Sequence, residues 1–198
     1  MTTLALNIQM HGKLAVIIGG GAVALRKLRT LLASGASVRL VAPDICPEID
    51  VLKDSALFSI VSGRYAKSDL DSAFLVVAAT NNALVNEQIC ADARALGILV
   101  AVADNPPAGD CAFPATLKRG NLEIAISSGG RCPTYAVDMR DLIAEHIGSE
   151  YGIILEQLAA EREKLLTNGS SRTYNVQVLR SLARQLLGEL PERKESLP

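Results

Sequence analysis

The chain has 198 residues, 49% of them hydrophobic and 21% charged, which is enough apolar content to bury a core and too much for general disorder. Twenty Lys and Arg stand against 21 Asp and Glu, a formal net charge of −1, which argues against a dedicated binder of nucleic acid or of an anionic membrane. The length predicts one domain with an appendage. Residues 1–5 carry no basic or long apolar export signal, and the longest uncharged apolar stretch, residues 14–25, is broken by Gly19, Gly20 and Gly21. Cys46, Cys90, Cys111 and Cys132 are widely spread with no Cys-x-x-Cys pair. Reduced thiols, a cytoplasmic location and no zinc site are expected.

The first half alternates strand and helix signals. Leu14–Ile18 is a short, continuous apolar run, as in a buried parallel strand. After the glycine triplet, Val23, Leu28, Leu31 and Leu32 fall near helical spacing while Arg26, Lys27 and Arg29 face solvent, and Gly35 marks the stop. Strands are predicted at Val38–Val41, Leu57–Val61, Ala73–Ala79 and Ile98–Ala103. Asn82 is placed to cap a helix carrying Val85, Ile89, Ala93 and Leu96. Such alternation implies a parallel sheet covered on both faces by right-handed crossovers.

The pattern changes after Asp104. A Pro/Gly-rich loop, 105–109, leads into a hairpin of residues 113–118 and 121–127 around Arg119-Gly120. Ser127-Ser128-Gly129-Gly130 is a loop, Pro133 suits the start of a helix, and the chain reads as helical from Thr134. Asn168-Gly169 and Pro191 are read as stops, and residues 192–198 as a frayed tail. The expected organisation is a Rossmann-type parallel sheet in 1–112, a β-hairpin and helical dimerisation and substrate region in 113–145, and a helical C-terminal region in 146–198.

Gly19-Gly20-Gly21-Ala22-Val23-Ala24 fits G-x-G-x-x-A, directly after a strand and opening a helix, the context that gives this fingerprint meaning. Gly19 permits a tight turn, Gly21 lets a pyrophosphate approach the backbone, and Ala24 lets helix and strand pack closely. The helix N-terminus then offers free N–H groups to the phosphates. The acid that usually meets the ribose lies about 20 residues on. Here the second strand ends in Ala42-Pro43-Asp44, with no basic residue directly after it, which favours NAD over NADP. Thr80-Asn81-Asn82 ends another strand at the edge where open α/β sheets bind ligands, and Asn82 reads equally as a simple cap. Asp104 has two readings, a general base at the same edge or a turn-forming residue before Asn105-Pro106. The Ser-Ser-Gly-Gly loop likewise reads as an anion site or as an ordinary connection. His11 and His146 lack metal-ligand spacing, and neither G-x-S-x-G nor a Walker A lysine is present.

These residues together resemble the precorrin-2 dehydrogenase/sirohydrochlorin ferrochelatase family, the N-terminal module of siroheme synthases. The likeness lies in residues 16–24 with Arg26-Lys27, Leu40-Val41-Ala42-Pro43, Ala78-Ala79-Thr80-Asn81 with Val85-Asn86, Val102-Ala103-Asp104, Phe113-Pro114-Ala115, and residues 124–130 with Pro133. The resemblance implies a homodimer that oxidises precorrin-2 to sirohydrochlorin with NAD⁺, some members also inserting Fe²⁺ to give siroheme. It implies NAD contacts at Gly19, Gly21, Ala22, Val23, Pro43, Asp44, Thr80 and Asn81, and a carboxylate serving both reactions at Asp104. Ser128, which falls on a phosphorylation site of some members, Gly129 and Arg131 are assigned to the substrate, whose many carboxylates also make Lys118, Arg119 and Arg140 candidate anchors. Three departures touch the expected tetrapyrrole pocket. Ala101 stands where the family often has Asn, Arg131-Cys132 where it often has Thr-Ser, and Val137 where it has Arg. A rival reading of another class is a nucleotide-sensing regulatory module without catalysis, which would have no need of Asp104 or the Ser-Gly-Gly loop.

Overall fold

Apolar runs at Leu14–Ile18, Ser37–Ala42, Leu75–Ala78 and Leu99–Val102, largely buried on both faces, form one parallel sheet with the more exposed edge strand Phe58–Ser62. The computed structural model describes residues 3–167 and 172–190, so the stops read at Asn168-Gly169 and Pro191 and the tail lie outside the described residues. In chain order the elements are β1 (Leu14–Ile18), α1 (Ala22–Ala33), β2 (Ser37–Ala42), α2 (Pro47–Asp50), β3 (Phe58–Ser62), β4 (Leu75–Ala78), α3 (Ala83–Ala95) and β5 (Leu99–Val102). There follow β6 (Ala115–Arg119), β7 (Leu122–Ile126), α4 (Pro133–His146), α5 (Glu150–Thr167) and α6 (Arg172–Gly188). The chain divides into two compact units, Met1–Phe113 and Pro114–Pro198.

In the first unit the strands run parallel in the order β3-β2-β1-β4-β5. Alternate residues of β1 feed two cores. Ala15 and Ile17 pack with Ala24, Leu28 and Leu31 of α1, whereas Val16 and Ile18 pack with Ile89, Cys90 and Ala93 of α3. The crossovers β1–α1–β2 and β4–α3–β5 progress in opposite directions from the centre, so right-handedness puts their helices on opposite faces. Each fully buried Ile, Leu or Val contributes about 1.5–3 kcal/mol relative to exposure. The strand order reverses between β1 and β4, and their carboxyl ends form the crevice where such sheets take ligands.

The outer edge of β5 is closed by the chain itself. The Asp110 N–H donates to Val100 O at 2.7 Å, and Asp110 Oδ2 accepts from Val100 N at 3.3 Å. Arg94 holds the same carboxylate at 3.2 Å. Gly109 passes so close that a Cβ there would lie 2.7 Å from Val100 O.

The second unit is built on the β6-β7 hairpin, whose register pairs Arg119 with Leu122 and leaves Gly120-Asn121 as a two-residue turn. Gly120 has φ +58°, the left-handed conformation that such turns require. Lys118 pairs across the strands with Glu123 at 3.2 Å. Arg119 turns inward, its guanidinium donating to Ile147 O at 2.8 Å and Ala144 O at 3.2 Å, the otherwise unpaired carbonyls at the end of α4. The helical run expected from Thr134 is divided at Ile147, which takes an extended conformation. The four-residue α2 and the 3₁₀ turns Lys67–Leu70 and Pro106–Ala108 are too short for a helical period to show in the sequence.

Helix α5 passes the hairpin turn at a glycine. A Cβ on buried Gly152 would lie 2.2 Å from Arg119 O. Gly152→Ala is therefore expected to destabilise the chain by about 1–3 kcal/mol, the usual cost of overpacking, read as a lower urea midpoint. An unchanged midpoint would show that the turn yields freely.

Candidate functional site

The carboxyl ends of β1, β2, β4 and β5 are tied together by backbone. Gly19 N–H donates to Val41 O at 2.9 Å, Ala79 N–H to Ile18 O at 2.8 Å, Ala103 N–H to Ala78 O at 2.9 Å, and Cys46 N–H to Gly20 O at 2.8 Å. The three glycines between β1 and α1 have different reasons to be glycine. Gly19 has φ +124°, and a Cβ there would sit 2.2 Å from Ala79 O. Gly20 is closed off in the same way by Asp44 O, 2.1 Å from its Cβ position. Gly21 is not: its φ of −89° is open to any residue, and a Cβ there would meet no protein atom within 4 Å.

Neither backbone nor packing asks for glycine at position 21, so the space before it is what fits an incoming group. Gly21 caps α1 with no side-chain bond, and the first turn of α1 holds no acid, which leaves its N–H groups and partial positive charge for an anion. Ala22 and Val23 are exposed on that turn, and Ala24 is fully buried against the sheet, as its small size permits. Pro43 and Asp44 are exposed at the tip of β2 beside this turn. These residues form a bed that suits the two phosphates and one ribose of a dinucleotide.

Across the crevice, Asn82 caps α3 by accepting from Leu84 N at 3.0 Å and Val85 N at 3.3 Å, so its side chain is engaged in capping. Asn81 is exposed. The Thr80 hydroxyl turns inward to Asn86 Oδ1 at 2.7 Å, and the exposed Asn81 follows it at the loop surface. Asp104, exposed beyond β5, accepts from Asn86 Nδ2 at 3.3 Å. All nine residues read from the sequence as cofactor-binding or catalytic thus lie along one sheet edge. Asn86, which joins two of them, had only its place in the resemblance to mark it. A lone asparagine within a helix gives no local signal.

Behind the glycine turn, Lys27 of α1 lies over the Phe113 ring, 4.0 Å from its centroid. Burial, and secondarily the neighbouring Arg26 charge, lowers the Lys27 ammonium to a pKa of about 8.

The three residues assigned to substrate lie in the second unit, in the single loop before α4. Gly129 and Gly130 have φ +62° and +77°, and Ser127 Oγ accepts from Gly129 N at 3.2 Å. Ser128 Oγ accepts from Cys132 N at 3.2 Å, so this serine also shapes the connection to the helix. Arg131 is exposed, and its guanidinium has no partner among the described residues. The other candidate anchors are engaged: Lys118 with Glu123, Arg119 with the end of α4, and Arg140 with Asp141 at 2.6 Å. Hydrogen bonding to Thr134 lowers the exposed Cys132 thiol below its usual range. Ala101 does not line the sheet edge. It is buried within β5, beside the close passage of the chain at Gly109.

A parallel sheet in this order, with a glycine turn at its switch point and an open helix N-terminus, defines a Rossmann dinucleotide-binding domain. The chain belongs to the NAD(P)-binding family whose model, described as "Putative NAD(P)-binding", matches residues 6–115. It is similar to the siroheme synthase of Chromobacterium violaceum, 41% identical over 145 residues, which is 73% of this chain and 31% of that protein. The siroheme synthase of Stutzerimonas stutzeri is 36% identical over 177 residues, 89% of this chain and 37% of that protein. The chain therefore spans about a third of the length of the curated relatives it matches. The fold is that of SirC, precorrin-2 dehydrogenase, with a TM-score of 0.77 at 22% identity over 94% of this chain and 98% of that one.

Gly21→Asp is expected to leave folding intact, because the introduced side chain meets no protein atom, while weakening NAD⁺ at least tenfold, about 1.4 kcal/mol, by bulk and charge against the phosphates. Isothermal calorimetry on the folded variant measures it. Unchanged affinity would move the cofactor away from this turn.

Proposed function

We propose that this chain oxidises precorrin-2 to sirohydrochlorin with NAD⁺. The observation that carries this reading is Asp104, a carboxylate at the same sheet edge as the glycine turn, held by Asn86. The naming of the relatives as siroheme synthases gives the substrate class. The oxidation takes one hydride and one proton from the macrocycle. A nicotinamide, when bound, accepts the hydride. Asp104 accepts the proton. Gly19, Gly21, Ala22 and Val23 hold the pyrophosphate, the loop of Thr80 and Asn81 lies at the nicotinamide end, and Pro43 and Asp44 bound the adenosine ribose. The Asp44 carboxylate suits a ribose 2′-hydroxyl and repels a 2′-phosphate, which selects NAD over NADP. Arg131, with Ser128 and Gly129, receives a substrate carboxylate.

We further read the chain as a cytoplasmic homodimer whose contact is made by the region beyond residue 112. In the second unit Tyr135, Leu142 and Ile153 are 60%, 49% and 59% exposed, and Leu122, Ile124 and Ile126 of β7 are half-buried, apolar surface that a second copy would cover. No helix among the described residues is long and apolar enough to cross a membrane.

Asp104→Asn is expected to slow anaerobic precorrin-2 oxidation by about 10²–10⁴-fold with NAD⁺ affinity retained, followed by absorbance. Wild-type turnover would reduce Asp104 to a turn residue. In a separate anaerobic assay that starts from sirohydrochlorin and Fe²⁺, siroheme is expected to form at a rate near the no-enzyme control, because the Arg131 charge, unpaired among the described residues, discourages a divalent cation. A protein-dependent rate lost in Asp104→Asn would show that both reactions use this carboxylate. Light scattering at micromolar concentration is expected to give the mass of two chains, and a monomer would remove the dimer from this reading.

A further inference from the structure

Asn86 breaks the pattern of the helix that carries it. On α3 the residues facing the sheet are Asn86, Ile89, Cys90 and Ala93, spaced i, i+3, i+4 and i+7, and all are buried. The first place in that stripe would suit Leu or Val. It holds instead a poor helix former that is 4% exposed. A buried amide is costly unless bonded, and this one uses its full capacity. Oδ1 accepts from Thr80 Oγ1 at 2.7 Å and from Thr80 N at 3.4 Å. Nδ2 donates to Thr80 O at 3.1 Å and to Asp104 Oδ1 at 3.3 Å. The amide has one orientation, since exchanging its ends would set Oδ1 against a carbonyl and a carboxylate.

Asn86 is also the one side chain among the described residues that bonds the Asp104 carboxylate. Ala103 is held by the backbone of β4, but the exposed Asp104 side chain beyond it has no other anchor. Side chains of a helix lean toward its N-terminus, and Asn86, one turn inside α3, leans toward both sheet-edge loops at once. We propose that Asn86 is a positioning residue, one planar amide that sets the Asp104 carboxylate and the Thr80 loop in a single mutual geometry. The proposal rests on the reading of Asp104 as the proton acceptor. A general base displaced by an ångström from its reacting hydrogen loses much of its effect.

The test uses the full chain with NAD⁺ and precorrin-2. Asn86→Asp keeps shape and the acceptor for Thr80 but sets a carboxylate against Asp104. Asn86→Ala removes the amide, and Asn86→Ser is a milder change should either of the others fail to fold. Folded variants are expected to lose at least tenfold in kcat with a several-fold smaller loss of calorimetric NAD⁺ affinity, since Asn86 also holds the Thr80 loop at the nicotinamide end. Thermal melts supply a reading independent of turnover. Asn86→Asp is expected to lower Tm, and the double variant Asn86→Asp/Asp104→Asn to recover part of the loss, because donor and acceptor are exchanged. Wild-type kcat in folded Asn86→Ala or Asn86→Ser overturns the proposal. So does a loss of kcat matched by an equal loss of NAD⁺ affinity, which would make Asn86 structural only. Wild-type turnover in Asp104→Asn overturns the underlying reading of the base, and the partial recovery of Tm in the double variant would still report the contact.

Discussion

The first unit depends on how closely backbone meets backbone at the carboxyl edge of its sheet. Gly19 and Gly20 lie against the carbonyls of Ala79 and Asp44 with no room for a methyl group. Four strand ends are consequently drawn to one place, and the N-terminus of α1 is aimed at the crevice between β1 and β4. Close packing of this kind carries little binding energy by itself. It makes the positions of the dipole, the β2 tip and the β4 loop functions of one another, which is the rigidity a dinucleotide site needs.

Polar groups complete what the glycines begin. The interior of the first unit is otherwise apolar on both sheet faces, and the buried amide of Asn86 joins it to Thr80 and Asp104 at the sheet edge. The second unit uses a comparable device for a different end. Arg119 is a cation on a hairpin, yet its guanidinium serves the last carbonyls of α4, fastening strand to helix. Two residues that a count of charged and polar side chains would place at the surface thus hold the two units in shape.

The fold was legible because its signals are local. Uninterrupted runs such as Leu14–Ile18 report strands buried on both faces, and glycine after a strand reports the turn into α1. The candidate site was legible to the extent that its residues lie at the ends of those runs, as Asp44, Thr80 and Asp104 do. What the sequence hid were relations between distant residues. Asn86 and Asp104 are 18 positions apart and meet only once α3 has folded back onto β5. Arg119 resembled a substrate anchor because nothing nearby discloses that α4 will end against it. Ala101 stands among the departures near the expected pocket, and only the fold shows that it is buried within β5, where the chain at Gly109 passes close along the strand.

That passage has a consequence for how the chain behaves in company. A parallel sheet exposes open hydrogen-bonding groups along its outer strands, which invite pairing with a strand of another molecule. Along β5, Asp110 answers both the N–H and the C=O of Val100, doing with one residue what a sixth strand would do with several, and Arg94 pins it there. At Val100 the sheet edge on the side of Asp104 is therefore already paired, and a strand of another molecule would have to displace Asp110 to add there.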